Sequence, residues 1–389
     1  MIINTFKFFC LLFFFLYLTE ACLLLFNLLS YKDGNIYQKR YDKIKIQAGY
    51  NLKDNFKKDF FNKNSGKKFF LISPNYYYEK NENTYFPLSG ISKSHTYLCS
   101  DFDYSVDFIS DRYGFRNDDR NWDKEIETVI LGDSHSVGMC YLERDSFVNY
   151  FDTQKTINLS YPGHGTLMQY AALKEYTKDL EYKSLYLFYS EANDIQEMNN
   201  SLNNHILKNY FNNNNFTQNL KTKQTLIDKE SSLISKTLLS KFNNPKQLKK
   251  KKKFNFGKLL KLGNLRNMTY KKTNQMKEIN YKKKDLENFR DILSKINDEA
   301  KKKKAKFLFV YLPEWSRYNF KDLNTETYRD YNKIKKIVSE LNIEFLDFKS
   351  SIFDKEIDPL KLFPFKGAST ASHYSPDASN LIKKKLQEN

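Results

Sequence analysis

Cysteine is scarce in this chain of 389 residues, which contains four. Cys10 and Cys22 lie in an apolar N-terminal stretch, so Cys99 and Cys140 are left for the rest of the chain. The sequence has no CxxC pair and no cysteine–histidine spacing of the kind that holds a structural metal. We therefore expect no metal and no cofactor. We expect Cys99 and Cys140 to be free thiols, with a disulfide between them as the alternative outside the cytosol.

Acidic residues are scarce in one segment. Between residues 200 and 283, 20 Lys or Arg stand against 3 Asp or Glu, a net of +17, whereas the whole chain carries +18. The runs NNNN at 212–215 and KKKKK at 249–253 are of low complexity. We predict a basic insertion over 196–283, partly disordered, with short amphipathic helices near 225–239. It is either a solvated segment without function or a surface that binds anionic lipid. Nucleic acid is a weaker candidate partner, because the insertion has few aromatic side chains to stack on bases.

Residues 8–29 form an apolar run of 22 residues, long enough to cross a hydrocarbon core of roughly 30 Å as a helix. Glu20 interrupts the run. Two interpretations stay open for residues 1–30: an uncleaved single-pass transmembrane anchor, which the continuing apolar residues favour, or a cleaved signal peptide. Lysine and arginine are more frequent after the run than before it, so the positive-inside rule places the bulk of the chain in the cytoplasm.

From residue 126 onward, short apolar runs alternate with segments of helical periodicity. We predict strands over 126–131, 156–159, 185–190, 306–312 and 343–348. We predict helices over 137–150, 167–179, 285–303, 325–341 and 376–386. This alternation is typical of an α/β domain with a parallel sheet of five strands. Residues 31–110 precede it as a polar and aromatic lead-in, with extended runs at 68–73 and 104–109.

Four short polar blocks follow the predicted strands or precede the last helix. They are GDSH with Ser134, NLSYPGHG with Gly163, FYSEANDI with Asn193, and ASHYSPDASNLI with His373. Because the carboxyl ends of parallel strands meet at one edge of a sheet, we expect these residues to border one cleft. A serine hydroxyl, a histidine base and fixed N–H donors are what attack on a carbonyl requires. The alternative is that Ser134 only caps a helix.

These blocks resemble those of the SGNH/GDSL hydrolase family, and the resemblance covers residues 111–195 and 284–389. It implies a flavodoxin-like three-layer α/β/α fold. It also implies a membrane-anchored serine esterase or O-acyltransferase that acts on O-acyl esters, in particular acetyl esters, of an envelope glycan. By motif, Ser134 is the nucleophile and His373 the base, while the Ser134 and Gly163 N–H groups and the Asn193 amide form the oxyanion hole. The anchored members of the family mostly face the extracytoplasmic side, and we follow the family over the charge pattern.

Two positions depart from the family pattern. Thr370 stands where an Asp usually precedes the histidine by three residues, so either Asp358 or Asp347 orients His373 or a Ser–His dyad operates. Loss of an orienting acid can lower the rate by about 10⁴. A non-catalytic glycan-binding or scaffolding protein of the same fold is therefore an alternative, as is a protein that binds anionic surfaces through the basic insertion. Glu191 stands where a Gly often precedes the Asn by two.

Further polar and aromatic residues near the predicted strand ends are candidates for substrate contact. They are Asp133, His135, His164, Glu191, Asp194, Trp315 and Arg317.

Overall fold

The computed structural model describes residues 2–30, 68–78, 84–99, 106–139, 142, 145–243, 260–263, 265–266, 280–319, 327–363 and 373–388. The chain divides into two units, one of Met1–Lys53 with Lys241–Glu278, the other of Asp54–Ser240 with Ile279–Asn389. Three sequence features lie outside the described residues: Cys140, the lysine run at 249–253 and Thr370.

The strands are β1 Lys68–Phe70, β2 His95–Cys99, β3 Val106–Ile109, β4 Thr128–Gly132, β5 Thr156–Asn158, β6 Ser184–Ser190, β7 Lys306–Leu312 and β8 Glu344–Asp347. The α-helices are α1 Ile2–Ser30, α2 Asn75–Tyr78, α3 Thr166–Thr177, α4 Asp194–Leu202, α5 His205–Asn212, α6 Gln224–Asn243, α7 Lys283–Lys302, α8 Trp315–Asn319, α9 Tyr331–Glu340, α10 Phe348–Ser351 and α11 Pro376–Gln387. Short 3-10 helices occupy Asp119–Asp123, Phe147–Tyr150, Leu220–Lys223, Tyr328–Asp330, Phe353–Lys355 and Pro359–Leu362.

Strands β4 to β8 form the predicted five-stranded sheet, and every pair in it is parallel. The spatial order is β5-β4-β6-β7-β8. Numbered along the chain, this is the order 2-1-3-4-5 of flavodoxin-like folds, in which ligands bind at the carboxyl ends where the strand order reverses. The predicted α/β fold class is therefore confirmed. The strand order reverses at β4, which has β5 on one side and β6 on the other.

Both faces of this sheet are buried, because neighbouring residues of each strand enter different cores. Val129 and Leu131 of β4 belong to the larger core, which also includes residues of α3, α4, α7 and α9. Ile130, between them, belongs to a second core with residues of α11. Helices thus cover the sheet on two sides in three layers, and continuous apolar strands such as KFLFVYL are what such a sheet needs.

Four of the five predicted helices are present, as α3, α7, α9 and α11, although α9 begins only at Tyr331. The helix predicted over 137–150 is wrong. The chain instead turns tightly through 133–139 and forms a 3-10 helix at Phe147–Tyr150. Gly138 adopts a left-handed φ of +72°, and Arg116 donates to the carbonyl oxygens of Val137 and Gly138 at 3.1 and 2.9 Å. Both carbonyl oxygens thus accept from the side chain of a distant residue, and residues 133–139 form a turn where the helix was predicted to begin.

The basic insertion is shorter than predicted. Helices α4, α5 and α6 occupy most of 196–243, and Leu207, Tyr210, Leu220 and Ile227 are fully buried in the larger core. Deletion of 200–283 would therefore remove core side chains as well as charge. The amphipathic helix expected near 225–239 is found within α6.

A second sheet of three strands, in the order β1-β2-β3, is built from the lead-in. The extended runs expected at 68–73 and 104–109 correspond to β1 and β3. Strand β2 pairs in parallel with β1 and antiparallel with β3. Leu98 of β2 and Val106 of β3 pack on Val137, so this sheet lies against the turn that follows β4.

In the other unit, Tyr17 and Glu20 of α1 make polar contacts with the segment around residue 262. The Tyr17 hydroxyl donates to the carbonyl oxygen of Leu260 at 3.1 Å, and the buried Glu20 carboxylate accepts from the Leu265 N–H at 2.8 Å. The predicted transmembrane anchor is not supported: among the described residues, no helix combines the length and the apolar character needed to cross a bilayer.

Candidate active site

A cleft of about 440 Å³ lies at the carboxyl ends of β4 and β6, at the predicted edge of the sheet. Ser134, Gly163, Asn193 and His373 all border it, so the structure brings together the four residues taken from the sequence blocks. A larger cavity of about 550 Å³, on the far side of the turn at 133–139, is bordered by Arg116 and several Asn side chains and contains none of the four. The smaller cleft is therefore the candidate active site.

Ser134 sits in the tight turn directly after β4. Ser136 packs so close to Gly132 that a side chain does not fit there: a Cβ atom on Gly132 would lie 2.0 Å from the Ser136 hydroxyl oxygen. Ser134 is half-buried and borders the cleft, with its Oγ 3.4 Å from Asp133 Oδ2. No α-helix follows within the described turn, and the local capping bond is made by Asp133 Oδ1, which accepts from the His135 N–H at 2.9 Å. The helix-cap alternative for Ser134 has no helix to cap.

Asp133 joins several parts of the site. Its buried carboxylate accepts from the His135 N–H and from the side chains of Ser134 and Asn193. Burial raises the pKa of Asp133, while these donors and the charge of His373 oppose that rise. Asp133 thus orients the Asn193 amide and interacts electrostatically with His373, the candidate base.

Asp194 lies beneath the cleft at the first turn of α4 and is fully buried. Burial, and then the neighbouring charge of Asp133, raise the pKa of Asp194 well above its ordinary value. Gln169 Nε2 donates to Asp194 Oδ2 at 3.1 Å. The like charge of Asp133 thus adds to burial in disfavouring ionisation of Asp194.

The loops after β5 and β6 carry Gly163 and Asn193, the two residues predicted as oxyanion donors. Gly163 has a φ of +82°, in the left-handed region that glycine adopts without strain, and it borders the cleft. Asn193 is the N-cap residue of α4 and borders the cleft as well. Both residues lie at the strand-order reversal beside Ser134.

His373 enters from the segment before α11 and is about nine-tenths buried. Its ring lies 5.3 Å, centroid to centroid, from that of His135, which in turn lies 4.5 Å from the ring of Tyr374. Burial, and then His373, lower the pKa of His135 well below its ordinary value, so His135 is neutral at pH 7. His135 packs beside the base as an uncharged ring.

No family model and no curated protein sequence matches the chain. Similar solved structures include a G-D-S-L family protein from Desulfitobacterium hafniense, with 11 % identity, 68 % of this chain and 99 % of that chain covered, and a TM-score of 0.32. An esterase from Pseudoalteromonas is 10 % identical; the match covers 68 % of this chain and 96 % of that chain, with a TM-score of 0.31. An acetyl xylan esterase has 10 % identity, coverages of 68 % and 98 %, and a TM-score of 0.31.

The chain is similar to SGNH/GDSL hydrolases. At this level of similarity, the chemistry of its SGNH-like cleft has to be taken from its own residues.

Glu191 and Arg317 lie beneath the SGNH-like cleft and do not border it. They form an ion pair in which neither side chain is exposed. Glu191 also accepts from the Tyr311 hydroxyl at 2.5 Å and from the Glu314 N–H at 2.9 Å. Trp315 is 7 % exposed and belongs to the second core. The geometry therefore gives these three candidates a place in the interior.

His164 is fully buried next to Tyr161, at 5.4 Å between ring centroids, and it does not border the SGNH-like cleft. Both of its ring nitrogens lack a hydrogen-bond partner within the described residues. Burial lowers the pKa of His164 to about 3. His164 is thus a neutral core residue behind the Gly163 loop.

Neither proposed orienting acid borders the cleft. Asp347 caps α10, where its carboxylate accepts from the Tyr331 and Ser350 hydroxyls and from the Ser350 N–H. Asp358 is the N-cap residue of the 3-10 helix at Pro359–Leu362. Within the described part of the site, the charge of His373 acts to lower the pKa of the Asp133 carboxyl group.

Sequence reasoning missed two parts of the site. Glu314 borders the cleft after β7. Its Oε1 pairs with Arg329 and accepts from the Tyr328 hydroxyl, while its buried Oε2 has no hydrogen-bond partner among the described residues. The position of Glu314 soon after an apolar strand was the sequence feature that could have marked it as a site residue. Leu71, Tyr97 and Leu98 of the three-stranded sheet also border the cleft. No local motif marks them.

Proposed function

We propose that this protein is a serine hydrolase of carboxylic esters. The observation that supports the proposal is the convergence of Ser134, Gly163, Asn193 and His373 on one cleft of about 440 Å³. A half-buried hydroxyl, a buried imidazole and fixed N–H donors at one edge of the sheet are the groups that acyl transfer through a serine ester needs.

In the first half of the reaction, Ser134 Oγ attacks the ester carbon and passes its proton to His373. The new C–Oγ bond converts the carbonyl oxygen to an oxyanion, which the N–H groups of Ser134 and Gly163 and the Asn193 amide stabilise. The C–O bond to the alcohol then breaks, and the leaving oxygen takes the proton from His373. Water repeats these steps on the acyl-enzyme and restores the Ser134 hydroxyl.

The Asp133 carboxyl group supports this cycle electrostatically. His373 becomes a cation each time it accepts the proton, and the negative charge of Asp133 favours that cation. This arrangement supports turnover by a Ser–His pair that has the Asp133 charge close by.

Within this reaction class, O-acetyl groups of an envelope glycan are the substrate predicted from the resemblance, and transfer to a sugar hydroxyl is the predicted variant. Partition of the acyl group between water and an added sugar acceptor would distinguish hydrolysis from transfer. Attachment to a membrane and an extracytoplasmic location stay predictions from the sequence.

The test is covalent labelling of the full chain with a fluorophosphonate, followed by identification of the labelled peptide. We expect label on Ser134, no label in Ser134→Ala, and a labelling rate at least about 10³-fold lower in His373→Ala, because the base that activates the hydroxyl is gone. Ser339→Ala and His205→Ala are matched controls, since both residues are exposed on helices away from the cleft. Both controls should label at the wild-type rate.

Label that persists in Ser134→Ala would exclude Ser134 as the nucleophile. A folded wild-type chain that neither labels nor hydrolyses 4-nitrophenyl acetate would overturn the proposal. That result would favour the non-catalytic binding protein that the Thr370 departure allows.

A further inference from the structure

One side of the cleft is apolar. We call Leu71, Tyr97, Leu98 and Met139 the apolar wall. Leu71 directly follows β1, Tyr97 and Leu98 belong to β2, and Met139 ends the turn after Ser134. Leu98 is 4 % exposed, and the half-buried Leu71 and Met139 pack on the cluster that contains it. Among the described residues, Ser73 adds a hydroxyl at the border, and no charged side chain of β1 to β3 faces the cleft.

The apolar wall is attached to the Gly163 side of the cleft. The Tyr161 hydroxyl, in the same loop as Gly163, donates to the carbonyl oxygen of Ile72 at 3.0 Å. A Cβ atom on Gly163 would lie 3.4 Å from Pro74 Cδ. The segment that leaves β1 therefore runs directly beside the oxyanion donor.

The side that carries His373 is different in character. The Tyr374 hydroxyl donates to the carbonyl oxygen of Pro313 at 2.7 Å, which joins the residues next to His373 and Glu314. Glu314 borders the cleft and pairs with Arg329. This side of the cleft therefore carries a charged side chain, unlike the apolar wall.

The tetrahedral intermediate has three groups to place besides the bond to Ser134 Oγ. The oxyanion belongs at the Gly163 and Asn193 donors, and the leaving oxygen must reach His373 to take its proton. The remaining group, the acyl chain, is then directed away from His373. We propose that the apolar wall binds this acyl chain, and that the substrate is an ester of an aliphatic acid longer than acetic acid, in place of the acetyl ester predicted from the resemblance. This inference rests on the proposed ester hydrolysis.

Two isomeric esters test it on the full chain. Ethyl hexanoate and hexyl acetate have the same atoms and overall apolarity, but the long chain lies on the acyl side in one and on the alcohol side in the other. Each buried methylene is worth about four-fold in kcat/KM when fully buried. We therefore expect ethyl hexanoate to be preferred by about ten-fold or more in a cleft that buries the chain in part.

Leu71→Ser should reduce this preference at least about three-fold, since it replaces an apolar contact of the chain by a hydroxyl. Leu226→Ser is the matched control, because Leu226 is exposed on α6, and it should leave the preference unchanged. Both substrates are measured on one preparation, so the ratio does not depend on the folded fraction. Met139→Ser offers a second wall variant if Leu71→Ser fails to fold.

Equal rates on the two isomers, or a preference for hexyl acetate, would overturn the inference. So would an unchanged preference in both wall variants. If neither isomer is hydrolysed while a fluorophosphonate still labels Ser134, the acyl assignment falls and the nucleophile stands. If Ser134 does not label either, the proposed function falls as well.

Discussion

Two groups of side chains follow the strands of the sheet at the same edge, and they differ in what they face. The cleft group, Ser134, Gly163, Asn193 and His373, borders an open cleft. The sealed group, Glu191, Arg317 and His164, lies beneath that cleft without exposure to solvent. Glu191 and Asn193 are only two residues apart in the sequence, yet they belong to different groups.

The difference shows that position after a strand fixes the edge of the sheet but does not fix the direction of the side chain. Glu191 is bound by Arg317 and by the Tyr311 hydroxyl, all of its partners being interior. Asn193 begins α4 and its amide reaches Asp133 beside Ser134. Substitutions in the cleft group should therefore change turnover, and substitutions in the sealed group should change stability.

Ser134→Ala should have the largest effect on turnover. We expect kcat/KM for 4-nitrophenyl acetate to fall by about 10⁴ or more, because the nucleophile is lost, with a thermal midpoint within about 2 °C of wild type. Steady-state kinetics and a melting curve on the same sample check both parts. A large fall in the thermal midpoint would show that Ser134, like the sealed group, contributes mainly to stability.

Arg317→Met should have the largest effect on stability. It leaves the buried Glu191 carboxylate without its cation, and we expect the free energy of unfolding to fall by about 3–5 kcal/mol. Chemical denaturation measures the change. Arg290→Met is the matched control, since the Arg290–Glu340 pair is partly exposed and should contribute no more than about 1 kcal/mol.

The double variant Glu191→Gln with Arg317→Met extends that test. It removes both charges, so we expect part of the lost stability to return relative to Arg317→Met. If Arg317→Met instead kept full stability and lost turnover, the pair would belong to the cleft group in function.

Asn193→Ala should reduce turnover with a smaller effect than the loss of Ser134. Removal of one oxyanion donor lowers kcat by about 10²–10³, with little change in KM. Asn200→Ala, an exposed asparagine of the same helix, is the control and should be neutral. A rise in KM with unchanged kcat would show that Asn193 binds the ground state.

His164→Phe should change the response of stability to pH. The folded protein keeps His164 neutral down to a pKa of about 3, whereas the unfolded chain takes up a proton below about pH 6.5. Wild type therefore loses stability as pH falls through 6.5, by about 2 kcal/mol at pH 5 from this residue. Denaturant unfolding at pH 7.5 and pH 5.0 should show a smaller loss in the variant. An equal loss would mean that His164 is not neutral in the folded state, and His205→Phe, at an exposed position, is the control.

The sheet was predictable from the sequence because its strands are long apolar runs, such as SLYLFYS and KFLFVYL, which only a sheet buried on both faces accommodates. The four residues of the cleft group were predictable because parallel strands bring their carboxyl ends together. The helix at 137–150 was wrong for a tertiary reason. Arg116, 21 residues before Val137, donates to the carbonyl oxygens of Val137 and Gly138, the first residues of the predicted helix.

The sealed group and Glu314 were not predictable, because burial depends on partners far along the chain. Arg317 pairs with Glu191, which is 126 residues away in the sequence. Glu314 pairs with Arg329, which lies in a turn where Arg329 and Asp330 both have positive φ. The extent of the insertion was misjudged for a similar reason. Composition at 200–240 is polar overall, but the few apolar residues there, such as Leu207 and Ile227, reach the core.

The three-stranded sheet has a consequence for how the protein can be shortened. All four polar blocks with the candidate site residues lie after residue 126, so a version that starts at 111 would contain every motif. That version would lack Leu71, Tyr97 and Leu98, and with them one side of the cleft and the cover over Val137. Its Ser134 would then be more exposed to solvent, and the cleft would have no apolar wall to distinguish one ester from another. On the proposed assignment, the segment that selects the acyl chain contains none of the residues that react with the ester.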